Sequence, residues 1–82
     1  MRRILVAGNW KMNASKDMVD TLLGALLDGS RDGANVDMAV FPPFPYLAQA
    51  QSLLEGGAIA WGGQTVNPEE KGAHTGEVST SM

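Results

Sequence analysis

Short apolar runs alternate with segments of helical period along this 82-residue chain, and that alternation limits the possible architectures more than any other feature. Ile4 to Gly8 is an unbroken apolar run of strand length, the pattern of a strand buried on both faces of a parallel sheet. Asn9 to Ala14 is polar and reads as a loop. Ser15 is placed to cap a helix with its hydroxyl, and Asp17 suits the positive end of that helix. Met18, Leu22, Ala25 and Leu26 then recur at helical spacing beside Val19 and Leu23, with an end expected near Gly29. Gly29 to Asn35 is a turn-rich linker. Val36 to Phe41 predicts a second strand, stopped by Pro42-Pro43 because proline cannot donate to a ladder. Pro45 fits the first turn of a second helix, whose apolar face is Leu47, Ala50, Leu53 and Leu54 and whose stop is Gly56-Gly57. Ala58 to Trp61 opens a third strand that runs on toward Gln64. Thr65 to Glu77 is a long loop, and Val78 to Met82 reads as the opening turn of a further helix capped by Ser79.

Strands that alternate with helices imply an α/β fold of parallel strands joined by right-handed crossovers. No linker divides the chain, so residues 1–82 are expected to form a single partial domain. Three parallel strands leave two open edges. Two helices cover one face of the sheet and leave the other bare. Parallel sheets are normally covered on both sides, so further chain or association of copies is expected to complete this one.

Composition removes several classes of function. The net charge is −3, the sequence pI is about 4.8, and the six Lys and Arg residues are scattered. A nucleic-acid footprint would need a basic stripe, and a membrane-surface patch would need clustered cations. The apolar start breaks at Gly8-Asn9, too early for a signal core or a membrane span, so a cytoplasmic location is the default. There is no cysteine and only one histidine, His74, which leaves no thiolate or multi-histidine metal site.

Two segments have the makings of chemistry. In an extended Gly8-Asn9-Trp10-Lys11-Met12-Asn13, Asn9 and Lys11 share one face and Trp10 packs on the other. An amide and a fixed cation then stand at the carboxyl end of a strand, where α/β folds bind ligands. A lysine there can hold a phosphate or stabilise developing negative charge. On spacing alone, a turn asparagine and a surface lysine remain the commoner meaning of such a pattern. The second segment is Gly72-Ala73-His74-Thr75-Gly76-Glu77-Val78-Ser79, a loop bracketed by glycines; its composition fits a mobile surface loop equally well. His74 lacks a nucleophile beside it and reads as a contact residue. Asp17, Asp20 and Glu69-Glu70-Lys71 read as solvated faces, and Trp10 and Trp61 as packing residues.

Together these segments resemble a known family. Gly8 to Asn13 is similar to the opening signature of triosephosphate isomerase, and Phe41-Pro42-Pro43, Gly63-Gln64 and Gly72 to Ser79 follow in the family's order and spacing. The resemblance covers all 82 residues, with His74 where many members have an aromatic residue. It implies a βαβαβ segment of a (β/α)8 TIM barrel, ending at the start of the third helix. It implies interconversion of dihydroxyacetone phosphate and glyceraldehyde 3-phosphate in glycolysis and gluconeogenesis, a triose phosphate substrate, a homodimer and no cofactor. Asn9 and Lys11 become substrate-binding residues, with Lys11 the electrostatic partner of the phosphate and the enediolate. Gln64 and Glu77 become supporting loop residues, and Thr75 the residue that reaches into the partner subunit. A full barrel needs about 250 residues. Triosephosphate isomerase is itself the standard example of a glutamate base working with a histidine electrophile, and neither lies within these 82 residues. The resemblance therefore predicts a catalytically incomplete chain. The alternative is a non-catalytic, self-associating structural module with at most weak phosphate binding.

Overall fold

The computed structural model describes residues 2–30 and 35–82. Its elements run β1 (Ile4–Asn9), α1 (Lys16–Ser30), β2 (Val36–Phe41), α2 (Leu47–Leu54) and β3 (Ile59–Trp61), with one 3-10 turn, Phe44–Tyr46, leading into α2. Most of the linker expected between Gly29 and Asn35 falls on residues 31–34, outside the described residues. The sheet order is β1-β2-β3 and both pairings are parallel. Ile4 stands opposite Val36 and Asn9 opposite Phe41 in the first pair; Met38 stands opposite Ile59 in the second.

The register sorts the side chains into two faces, because alternate residues of a strand point to opposite sides. Ile4, Val6, Val36, Met38, Val40, Ile59 and Trp61 share the face that the helices cover. There Val40 and Ile59 pack with Val19 and Leu23 of α1 and with Ala50 and Leu54 of α2. Both helical leucines are fully buried, and each contributes about 1.5–3 kcal/mol by leaving water. Ser15 caps α1 as expected, its Oγ accepting the Met18 N–H at 3.1 Å. The opposite face carries Leu5, Ala7, Asn9, Asp37, Ala39, Phe41 and Ala60 and, among the described residues, has no helix on it. The accessible surface is 6212 Å², against roughly 4,700 Å² for a compact chain of this mass.

Three expectations are corrected. β1 is not buried on both faces: Ile4 and Leu5 are each 64% exposed and Val6 52%. The helices close over β2 and β3, and no β1 side chain belongs to the buried cluster, so an apolar run that looks central lies at an edge. β3 ends at Trp61 rather than reaching Gln64. The Gly62 N–H makes the last ladder bond, to the Val40 carbonyl at 3.1 Å, and the chain then passes against the Phe44 ring. A Cβ on Gly63 would stand 2.7 Å from Phe44 Cε1, so only glycine fits that approach without a shift of the ring. Val78 to Met82 forms no helix. A single turn closes from the Met82 N–H to the Ser79 carbonyl at 3.2 Å, and Ser79 Oγ pairs with Ser81 Oγ instead of capping a backbone N–H. Ser79 is buried in a parallel bridge to Asn67.

Candidate functional site at the carboxyl ends of the strands

Beyond β1 the chain turns sharply. Trp10 is buried, whereas Asn9 and Lys11 are exposed. The Lys11 N–H donates to Asn9 Oδ1 at 2.9 Å, closing an Asx turn. Lys11 has φ +55, the only positive φ among the described non-glycine residues. A left-handed residue with a side chain costs about 1–2 kcal/mol. The backbone here is turned and not extended, so strand alternation does not aim the lysine. Asn9 itself remains in the strand, on the bare face opposite Phe41.

The strained turn is tied to the other two strands. Gln64 follows β3, and its Nε2 donates to the carbonyl of Lys11 and to that of Phe41, each at 2.8 Å. The Trp10 N–H also reaches the Phe41 carbonyl, at 3.2 Å, and Asn13 Nδ2 donates to the Trp10 carbonyl at 3.1 Å. A neutral hydrogen bond contributes about 0.5–1.5 kcal/mol net, so this set together offsets the cost of the lysine's conformation. Ala7, Asn9, Phe41, Gly63 and Gln64 line an open cleft of about 330 Å³ on the bare face.

The third loop is a separate structure. The Asn67 N–H donates to the Val78 carbonyl at 2.8 Å, and Asn67 Nδ2 to Glu77 Oε1 at 2.9 Å. Asn67 Oδ1 accepts the Glu69 N–H at 2.8 Å. At the tip the Glu77 N–H returns to the His74 carbonyl at 3.1 Å, through Gly76 at φ +83. His74 Nδ1 lies 3.9 Å from Glu77 Oε2, a contact that becomes an ion pair when the imidazole is protonated. Thr75 is exposed at the apex. Glu77 and Thr75 therefore stay together, while Gln64, expected with them, joins Asn9 and Lys11. Two contributors escaped the sequence reading. Asn67 left a trace in its Asn-Pro dipeptide, a turn signal; the Phe41 carbonyl left none, because any residue could supply it.

The other end of the sheet carries structure. Arg3 Nε and Nη2 grip the Asp37 carboxylate at 3.0–3.1 Å. The hydrogen bond from Arg3 holds the Asp37 carboxyl below its ordinary value, and the same bond raises the Arg3 guanidinium. In barrels of this kind the carboxyl ends of the strands bear chemistry and the amino ends bear stability. Among the described residues no group of three or more His, Asp and Glu side chains is placed to hold a metal ion. No described helix is long and apolar enough to cross a membrane.

Three parallel strands with helices between them, and polar side chains gathered where the strands end, have the arrangement of a partial (β/α)8 barrel. The family model for triosephosphate isomerase matches residues 4–82. The triosephosphate isomerase of Cupriavidus necator is 53% identical over the whole chain and 32% of its own length. That of Nitrosomonas europaea is 51% identical over 94% of this chain and 31% of its own, and that of Dechloromonas aromatica 49% over all of the chain and 32% of its own. The chain belongs to the triosephosphate isomerase family. It spans about a third of the length of these relatives.

Proposed function

We propose that residues 1–82 supply the first three βα units of a triosephosphate isomerase, the third without its helix, and with them the fixed cation of its active site. The observation that supports this is the Asn9–Lys11–Gln64 constellation at the carboxyl ends of β1 to β3. Lys11 offers an ammonium to a triose phosphate and to the negative charge that develops as the substrate becomes an enediolate. Asn9 places an amide on the cleft and sets the turn that presents the lysine. The reaction is a proton transfer between adjacent carbons and uses no cofactor. The base and the electrophile come from outside these residues, since the single histidine, His74, sits on the third loop next to Glu77. Loss of a general base alone removes about 10²–10⁴ in rate, so the 82-residue chain by itself is expected to be inactive. The exposed Thr75 tip is the segment that enters a second subunit in a cytoplasmic homodimer.

The test is a chimera. Residues 1–82 replace the matching third of the Cupriavidus necator enzyme, and isomerase turnover is followed in a coupled assay. Turnover is expected, and Lys11→Ala should lower it by about 10²–10³, the usual effect of removing one group aimed at developing charge. A folded chimera whose turnover ignores Lys11→Ala would end the reading.

A second reading concerns the isolated chain. About 1,500 Å² of surface beyond that of a compact chain exceeds the roughly 800 Å² that each partner contributes to a standard protein interface. The bare face with Leu5 and Phe41, and the open β1 edge, favour self-association. A monomeric mass at micromolar concentration would refute it.

A further inference from the structure

We propose that Gln64 is the positioning residue of Lys11: its side-chain amide, donating at once to the Lys11 and Phe41 carbonyls, holds the lysine in its left-handed conformation and so directs the ammonium. This deepens the reading of the site given above and rests on it only for what the ammonium meets.

A glutamine amide nitrogen has two hydrogens, and here both are used, each on a backbone carbonyl at 2.8 Å. The two carbonyls belong to different segments. Phe41 ends β2, and Lys11 lies two residues past the end of β1. Gln64 itself comes from the segment after β3, so one half-buried side chain joins the ends of all three strands. The Lys11 backbone is held from both sides: its N–H by Asn9, which is local, and its carbonyl by Gln64, 53 residues away. An Asx turn alone leaves the carbonyl side free to rotate. Besides the local bond from Asn13 Nδ2 to the Trp10 carbonyl, the Gln64 donors are the restraint that opposes the return of Lys11 to negative φ. The preceding glycine sharpens the geometry. Gly63 lies under Phe44, where a Cβ would meet the ring at 2.7 Å, so Gln64 emerges from a backbone that cannot be shifted freely. A glutamate of the same length offers only acceptors at neutral pH and faces two carbonyl oxygens.

The experiment uses the 82-residue chain labelled with ¹³C and ¹⁵N. The one-bond Cα–Hα coupling of Lys11 reports the sign of its φ. The wild-type chain should show the positive-φ value. Gln64→Ala and Gln64→Glu should each shift it toward the negative-φ value, with the left-handed population falling roughly 10-fold or more for two lost bonds. Resonances of the buried Val40, Ile59 and Leu54 serve as the folding control; Gln64→Glu preserves side-chain size and keeps the test decisive if Gln64→Ala unfolds. A Lys11 coupling unchanged in either folded variant overturns the proposal. In the chimera the two variants should lower kcat/KM by roughly 10-fold while leaving the dimer mass unchanged. If the couplings respond but the wild-type chimera has no activity, Gln64 still positions Lys11 and only the isomerase reading falls.

Discussion

The first and third loops are both polar, both close to the carboxyl ends of the strands, and held in opposite ways. The first adds distant clamps to its local Asn9 and Asn13 bonds: Gln64, 53 residues on, and Phe41, the partner of Asn9 across the sheet, both hold it. The third is held by itself: Asn67 meets Glu77, Val78 and Glu69, and His74 meets Glu77, all within about a dozen residues. The difference separates two ways of ordering a functional segment. A loop clamped by distant strands stores a strained lysine and inherits its stability from the core. A loop clamped locally keeps its shape with less help and can present an exposed tip to another surface.

The sharpest way to break this comparison is to weaken the core. Leu54→Ala should cost about 2–5 kcal/mol, since the leucine is fully buried against both helix and sheet. Hydrogen exchange should then accelerate strongly at the Trp10 and Lys11 amides and much less at Glu77. Equal acceleration in both loops would show that they share one source of order. Next in size, Gly76→Ala places a side chain at φ +83 and should cost about 1–2 kcal/mol locally. Chemical shifts should move from Asn67 to Ser79 and stay fixed at Lys11; movement at Lys11 would join the loops again. Asn67→Ala removes two side-chain bonds of a half-buried residue and should cost about 1 kcal/mol. Its signature is faster exchange at the Glu69 amide with the Lys11 coupling unchanged.

The smallest expected effect lies at the far end of the sheet. Asp37 is held below its ordinary carboxyl value by Arg3. Its contribution is therefore present above the unfolded carboxyl value and is lost as pH falls through the lower folded one. Asp37→Asn should flatten the acid limb of a stability–pH profile in the region below about pH 4, and should leave neither loop altered. An unchanged acid limb would mean that solvent screens the pair completely.

Much of this was legible in the chain. The helical spacing of Met18 to Leu26, the Ser15 cap and the proline stop after Phe41 each act within a few residues, and each element formed where they placed it. The signature around Asn9 and Lys11 marked the candidate site. What the reading missed follows one rule. The burial of β1, the end of β3 and the company of Gln64 all depend on partners far along the chain.

Periodicity, caps and turn residues are local, and by themselves they determined the order β-α-β-α-β and the parallel α/β class, while the motifs at Gly8 to Asn13, Phe41 to Pro43, Gly63-Gln64 and Gly72 to Ser79 carried the resemblance to the family. The tertiary structure alone decided that an unbroken apolar run lies at an exposed edge. It alone decided that Lys11 adopts a left-handed backbone under a glutamine from beyond the third strand. The physical reason is that neither burial nor a strained dihedral belongs to a residue by itself: both exist only once distant segments are close enough to exclude water or to complete a hydrogen bond.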